Sequence, residues 1–438
     1  MGTQAPAPSH DEATTQPRSI RREPRPTRAS EPHVHERCPE LDWLRTAIVL
    51  GIIPYHALIL FIASSATVIE HPIASPLWPL VTGSLDTWGI GLIFLLAGAS
   101  ARFALRVRSP RAYLWDRVLR LLPPLALVEL IFAPLRAYFL LLSNPDLASV
   151  SPISIAHPER LQNIFTFFAQ YWITLVTTGS PIVVRNPLAH LWFVPRLMLV
   201  ALVTLPLFLF LRGRWSGWID RVAPSRPRLA ALLLGAGLLP ALTVAVLQPG
   251  WLHRLTAGTP FVEDWTILSL DLVMFVFGYL IYSSRRLRDA VRAVTTPALV
   301  GAAACWIAVF AVRLRGDVPA NDYSPPYVVF VLVQVSAIWL LTLGVLGFAM
   351  RYLSMTPSWQ PYLTTATFPV YVLHLPLLTI IAYYLQALPA PWYAQVVLFT
   401  ILTVAGSFAL YEYVVRRTPG VRLLFGLRRR TIDGHGKP

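Results

Sequence analysis

Residues 42–63 read DWLRTAIVLGIIPYHALILFIA, a run in which apolar side chains predominate. A helix needs about 20 such residues to cross the hydrocarbon core of a bilayer, which is ~30 Å thick. The whole chain of 438 residues is 55% hydrophobic and only 13% charged, against roughly 25% charged in soluble globular domains. The sequence therefore predicts an integral membrane protein and excludes an ordinary soluble enzyme.

Nine further runs of the same kind follow this first one, which we expect to be an uncleaved signal anchor. They lie at 77–101, 118–142, 188–211, 229–248, 266–284, 295–313, 326–350, 363–386 and 392–415. Such a pattern predicts an all-α integral membrane protein of about ten transmembrane helices, with a membrane domain over 41–416. The polar, proline-rich residues 1–40 are expected to form a disordered tail, and residues 417–438 a basic tail.

The basic residues are distributed unevenly between the two sets of connecting segments. One set, which includes both chain ends, carries 30 of the 37 Lys and Arg residues, and the other set carries five. The positive-inside rule then places both termini in the cytoplasm of a multi-pass plasma (inner) membrane protein. The net charge of +15 is explained by this topology, so we expect contacts with membrane lipids and no nucleic-acid partner.

Two ionisable residues in the first span stand eleven positions apart. In an α-helix this spacing is within about 20° of three whole turns, so Arg45 and His56 project from one face, ~16 Å apart along the axis. A guanidinium is suited to binding phosphate or carboxylate, and a neutral imidazole can accept a proton from a hydroxyl. The alternative is that Arg45 anchors the helix at the membrane surface and His56 bonds a neighbouring helix.

The arrangement of Arg45 and His56 resembles the first-helix motif of the membrane acyltransferase 3 family. Three further blocks resemble the family in the same order. They are WGIGLIFLLAG at 88–98, where Ala97 replaces the serine of a Ser-Gly pair, HLWFV at 190–194, and YVLHLP at 371–376. The sequence of the first helix also resembles that of the branch of the family that includes glucan succinyltransferases.

The resemblance implies transfer of a small acyl group, of acetyl or succinyl type, from cytoplasmic acyl-CoA to a hydroxyl of an extracytoplasmic carbohydrate or glycoconjugate. His56 would be the catalytic base and Arg45 the second catalytic position, with no appended esterase-like domain. Arg117 and Arg120 resemble the end of the family's Arg-Arg-x-x-Arg element and could hold donor phosphate, although Asp116 replaces its first arginine. Positive-inside anchoring is the alternative for this pair.

Four other positions in the matching blocks are predicted to bind substrate: His190, Trp192, Tyr371 and His374. Tryptophan offers sugars an apolar platform, but it is also ordinary in the aromatic belt of membrane proteins. An intramembrane histidine such as His374 also commonly forms an interhelical hydrogen bond.

Several other polar residues within the spans have a less definite role. Glu129 and Arg136 are seven residues apart on one helix face, which predicts an ion pair, or pairing with other helices, rather than catalysis. Asp86, Arg196 and Asp271 are candidates for lining a cavity. The aromatic-rich connection at 143–187 is expected to lie in the interface or to re-enter the membrane.

No bound cofactor and no metal site are predicted, and Cys38 and Cys305 are too differently placed for a structural disulfide. The sequence also lacks a phosphate-binding loop and a Gly-x-Ser-x-Gly nucleophile elbow. A secondary transporter or translocase of a lipid-linked or small polar substrate remains the chief alternative, because it would use the same intramembrane charges. A noncatalytic membrane sensor or scaffold is a third possibility.

Overall fold

The computed structural model describes residues 1–3, 38–62, 69, 73, 75, 77–143, 163–178, 191–212, 221, 225–247 and 265–427. The chain divides into two units, Met1–Arg37 and Cys38–Pro438, and everything below concerns the second. The predicted disordered tail lies almost wholly outside the described residues, as do His190 and the end of the basic tail.

The described part of the second unit is built of helices, and its one β-type contact is an isolated bridge between Ile62 and Ile73. The helices are α1 (Pro39–Ile59), α2 (Leu77–Val107), α3 (Pro110–Leu127), α4 (Ala133–Ser143), α5 (Ile164–Thr178), α6 (Phe193–Leu211), α7 (Arg226–Gly235), α8 (Leu238–Leu247), α9 (Trp265–Ser283), α10 (Arg285–Ala293), α11 (Thr295–Arg315), α12 (Pro325–Tyr352), α13 (Gln360–Leu385), α14 (Trp392–Leu410) and α15 (Pro419–Leu424).

Nine helical stretches of the described chain are long and apolar enough to cross a membrane. They match nine of the predicted spans, with α3 and α4, and likewise α7 and α8, each forming one stretch. Helix α1 is not in this set, because Asp42, Arg45 and His56 lower its mean hydropathy. It is nevertheless 21 residues long and packs against α2, α12, α13 and α14. The prediction of an all-α, multi-pass membrane protein is confirmed.

Helices α2 and α9 form one of the most extensive helix contacts, and two glycines make it possible. A methyl group added at Gly98 would collide with the carbonyl oxygen of Phe275, and one added at Gly278 would collide with the carbonyl oxygen of Leu95. Without side chains at these positions the two backbones touch directly. Close backbone approach at small residues is the usual way in which helices associate in lipid.

The span formed by α3 and α4 contains a π-helical turn, Val128–Phe132, which joins the two helices. Helix α4 then packs against α13. Leu140 of α4 lies in one buried cluster with Ala57 of α1 and Leu378 of α13. Helices α1, α4 and α13 therefore pack together around Ala57, the residue that follows His56.

Helix α5 comes from the aromatic-rich connection and packs on α4. Its Phe167 and Tyr171 are buried against Ala133 and Ala137. At 15 residues it is ~22 Å long, too short to cross the hydrocarbon core. Its opposite side chains, including Phe165 and Val176, are exposed and apolar, as expected for a helix in contact with lipid.

The connection between the predicted spans at 266–284 and 295–313 is helical. It carries four arginines, and Arg285–Ala293 forms the helix α10. Leu287, Ala290 and Val291 are buried on one face of it, while the arginines occupy the other side. The spacing of those three apolar residues was the sequence signal for an amphipathic helix.

Candidate active site

The two histidines from α1 and α13 form a direct hydrogen bond. Nδ1 of His56 lies 2.8 Å from Nε2 of His374. The ring planes are within 4° of parallel, yet the ring centroids are 5.1 Å apart. With two ring nitrogens this close, that separation means that the rings meet edge to edge rather than face to face. His374 is fully buried, and His56 is partly accessible.

The backbone fixes the direction of this hydrogen bond. Nδ1 of His374 contacts the carbonyl oxygen of Tyr371, one turn earlier in α13. A carbonyl can only accept, so His374 must carry its proton on Nδ1, and its neutral ring then offers Nε2 as an acceptor. The donor to Nε2 is therefore Nδ1 of His56. In neutral His56 the remaining nitrogen, Nε2, keeps a free lone pair and can act as a base.

Arg45 lies about three helical turns before His56 and contacts a different neighbour, α2. Its guanidinium binds the Asp42 carboxylate at 3.0 Å and donates hydrogen bonds to the hydroxyl of Ser100 and, at 3.5 Å, to the carbonyl of Leu96. Its side chain is still 37% exposed. Arg45 is thus held in place but remains accessible to a ligand.

The two arginines of α3 are separated by their contacts. Arg117 turns inward, with its guanidinium 4.8 Å from the ring centroid of Tyr113 and 3.5 Å from the carbonyl of Ala97. It lies within electrostatic reach of Arg45. Arg120 instead binds Asp116 at 3.1 Å, and Asp116 also binds Arg108 at 2.6 Å.

The contacts of Asp116 bear on the predicted phosphate-binding pair. Asp116, which replaces the first arginine of the family element, binds Arg120. Arg117 lies within reach of Arg45, so that these two cations converge on one side of α2.

The intramembrane carboxylates that had no assigned role form two pairs. Tyr55, next to His56, lies within electrostatic reach of Asp86 of α2. Arg196 of α6 forms a buried ion pair with Asp271 of α9, and its guanidinium lies 4.9 Å from the ring of Trp192. These pairings involve α1, α2, α6 and α9, and they were not predicted because the partners lie far apart in the sequence.

An apolar cavity of about 280 Å³ lies between α1 and α2. Its walls run from Leu44 to Tyr55 on α1 and from Leu85 to Ile93 on α2. Leu44 and Tyr55 each precede one of the two predicted catalytic residues. The cavity therefore extends over the same depth of the bundle that separates Arg45 from His56.

Glu129 and Arg136 do not form the predicted ion pair. Oε1 of Glu129 is buried without a hydrogen-bond partner among the described residues. Glu129 lies within the π-helical turn and Arg136 lies beyond it, so the regular seven-residue spacing that put them on one face does not hold. Arg136 is instead within electrostatic reach of His56.

Comparison with known protein families agrees with these observations. A family model described as an acyltransferase domain, that of the acyltransferase 3 family, matches residues 39–412. The chain belongs to the acyltransferase 3 family. No curated protein and no solved structure matches it. The resemblance carried by Arg45, His56 and the three later blocks is thereby confirmed at the level of the family, and membership implies acyltransferase activity in general terms.

The predicted substrate-binding residues occupy distinct places in this acyltransferase. Tyr371 is buried, contacts the rings of Phe193 and His374, and supplies the carbonyl that orients His374. The ring of Trp192 contacts the guanidinium of Arg196. Ser100, which binds Arg45, was missed by the sequence reasoning, because a serine in a helix has no distinguishing pattern.

Proposed function

We propose that this protein is a membrane O-acyltransferase that moves a small acyl group from cytoplasmic acyl-CoA to a hydroxyl of an extracytoplasmic carbohydrate or glycoconjugate. One observation carries the proposal: within a chain of the acyltransferase 3 family, the hydrogen bonds of Tyr371, His374 and His56 leave Nε2 of His56 as a base. The acyl group is of acetyl or succinyl type.

His56 is the general base in this proposal. Its Nε2 removes the proton of the acceptor hydroxyl as the oxygen attacks the thioester carbonyl. His374 holds the His56 ring in the required tautomer and accepts a hydrogen bond from the imidazolium that forms. In a catalytic triad, the third residue orients the histidine and stabilises its imidazolium form in the same way.

Arg45 and Arg117 bind the donor. The two guanidiniums converge on the side of α2 that carries Ala97 and Ser100, near the end of α1 predicted to face the cytoplasm. Two cations that share one region are suited to the phosphates of coenzyme A. The apolar cavity beside α1 spans the depths of Arg45 and His56, and its lining residues Leu44 and Tyr55 are their neighbours in the sequence.

The acceptor side is assigned to the polar residues around Tyr55, Asp86 and Trp192. Carboxylate and hydroxyl groups bind sugar hydroxyls, and an indole ring packs against the apolar face of a pyranose. His190 belongs to the same sequence block as Trp192, and we expect it to contact the acceptor as well.

The test is an assay of detergent-purified wild type and His56→Ala. Each protein is incubated with radiolabelled acetyl-CoA or succinyl-CoA and an extracytoplasmic glycan extract, and labelled glycan and free CoA are both measured. We expect labelled glycan with wild type alone, with His56→Ala equally folded by gel filtration. Turnover of neither donor, together with substrate flux into vesicles without acyl-CoA, would overturn the proposal in favour of a transporter.

A further inference from the structure

Arg136 lies on the face of α4 that is turned toward the histidine pair. It precedes Leu140 by four residues, so the two share a face, and Leu140 packs in one buried cluster with Ala57 and Leu378. Ala57 directly follows His56. Because Arg136 shares the face of Leu140, it belongs to the side of α4 that packs against the segment around His56. Both His374 and Arg136 lie within electrostatic reach of His56.

The positive charge of Arg136 has no counter-charge in the described part of the chain. Glu129 does not pair with it, and Tyr171 of α5, which lies within its electrostatic reach, carries no charge at neutral pH. A cation inside a membrane domain is costly unless an anion or a polar cavity receives it. Arg196, another arginine within a described span, follows this rule through its pair with Asp271.

We propose that Arg136 is a further catalytic residue, which stabilises the oxyanion that forms during acyl transfer. This inference rests on the proposed function, because the anion exists only if an acyl carbonyl is attacked beside His56. A fixed guanidinium in a site of low dielectric is suited to this role, since it needs no reorganisation when charge develops.

The proposed acyl transfer has an addition stage and a collapse stage. Nε2 of His56 takes the proton of the acceptor hydroxyl, and the hydroxyl oxygen forms a bond to the thioester carbon. The carbonyl electron pair moves to its oxygen, where Arg136 donates hydrogen bonds to the negative charge. On collapse the C=O bond reforms, the C–S bond breaks, and the proton passes from His56 to the thiolate of coenzyme A.

The experiment measures kcat and KM of wild type, Arg136→Gln, Arg136→Lys and the control Arg313→Gln with acetyl-CoA and succinyl-CoA separately. Arg313 lies at the far end of α11, outside the site, with its guanidinium 5.7 Å from the ring of Phe330. We expect Arg136→Gln to lose about 100- to 1,000-fold in kcat with either donor and little change in KM. Arg136→Lys keeps the charge but not the guanidinium geometry, and its loss should be intermediate.

Each other result would overturn the inference. A wild-type kcat in folded Arg136→Gln would remove the catalytic role. A rise in KM confined to succinyl-CoA would assign Arg136 to the substrate carboxylate instead. If Arg136→Gln does not fold, Arg136→Lys tests the inference. A lower kcat at unchanged KM would support the catalytic role, and wild-type kinetics would contradict it. An inactive wild type would overturn the proposed function and this inference together, whereas an active wild type beside an unimpaired variant would overturn only the inference.

Discussion

The carbonyl oxygen of Tyr371 is a small feature with a large effect on the histidine pair. An isolated pair of neutral imidazoles could hydrogen-bond in either direction, and only one direction leaves the lone pair of His56 on Nε2. Because a carbonyl cannot donate, its contact with His374 selects that direction. Proton acceptance by His56 is thus controlled by a backbone group that no side-chain substitution at Tyr371 removes.

Substitutions of His374 should separate orientation from simple packing. In His374→Phe no acceptor remains for Nδ1 of His56, so kcat should fall on the order of 10- to 100-fold. In His374→Gln the side-chain carbonyl can replace the lost acceptor, and much of the activity should be kept. Steady-state kinetics on the two purified variants checks this, and equal losses in both would contradict an orienting role.

The two arginines of α3 should differ in their effect on the donor. Arg117→Gln removes a cation that faces Arg45, and a lost hydrogen bond to a charged group costs about 1.5–3 kcal/mol. The KM for acyl-CoA should therefore rise about tenfold or more. Arg120→Gln is the matched control and should change KM little, because Arg120 binds Asp116. Equal increases in KM would mean that both arginines bind the donor.

At the scale of the helix, the sequence predicts length and polarity well and partners poorly. The runs at 295–313 and 392–415 reappear as Thr295–Arg315 and Trp392–Val415, because hydropathy depends on the residues of one segment alone. The meeting of His56 with His374, 318 positions apart, depends on which helices become neighbours. Only the family resemblance indicated that these two residues belong to one site.

The glycines between α2 and α9 give a prediction at this scale. Gly98→Val would place a branched side chain against the backbone at Phe275 and should lower the free energy of unfolding by about 1–3 kcal/mol or more. Gly83→Ala in the same helix has open space around it and should leave stability unchanged or slightly raised. Thermal unfolding in detergent measures both, and an unaffected Gly98→Val would refute the close-packed interface.

At the scale of the whole molecule, the orientation predicted from the charges can be tested independently of catalysis. In a Cys38→Ser, Cys305→Ser background, we expect Asn321→Cys to react with a membrane-impermeant maleimide in intact spheroplasts. Ser109→Cys, in the connection between α2 and α3 that is rich in arginine, should react only after permeabilisation. The reverse pattern would place both termini outside the cytoplasm.

The π-helical turn at Val128–Phe132 also has a consequence for how the family diverges. Such a turn holds one residue more than the α-helical path between the same points, and one residue corresponds to about 100° of rotation. Deleting a single residue there would swing Arg136 away from His56 while leaving α3 unchanged. A one-residue length difference in this helix is therefore a marker that a sequence alignment can detect, and it should separate family members that present this arginine to the histidine from those that do not.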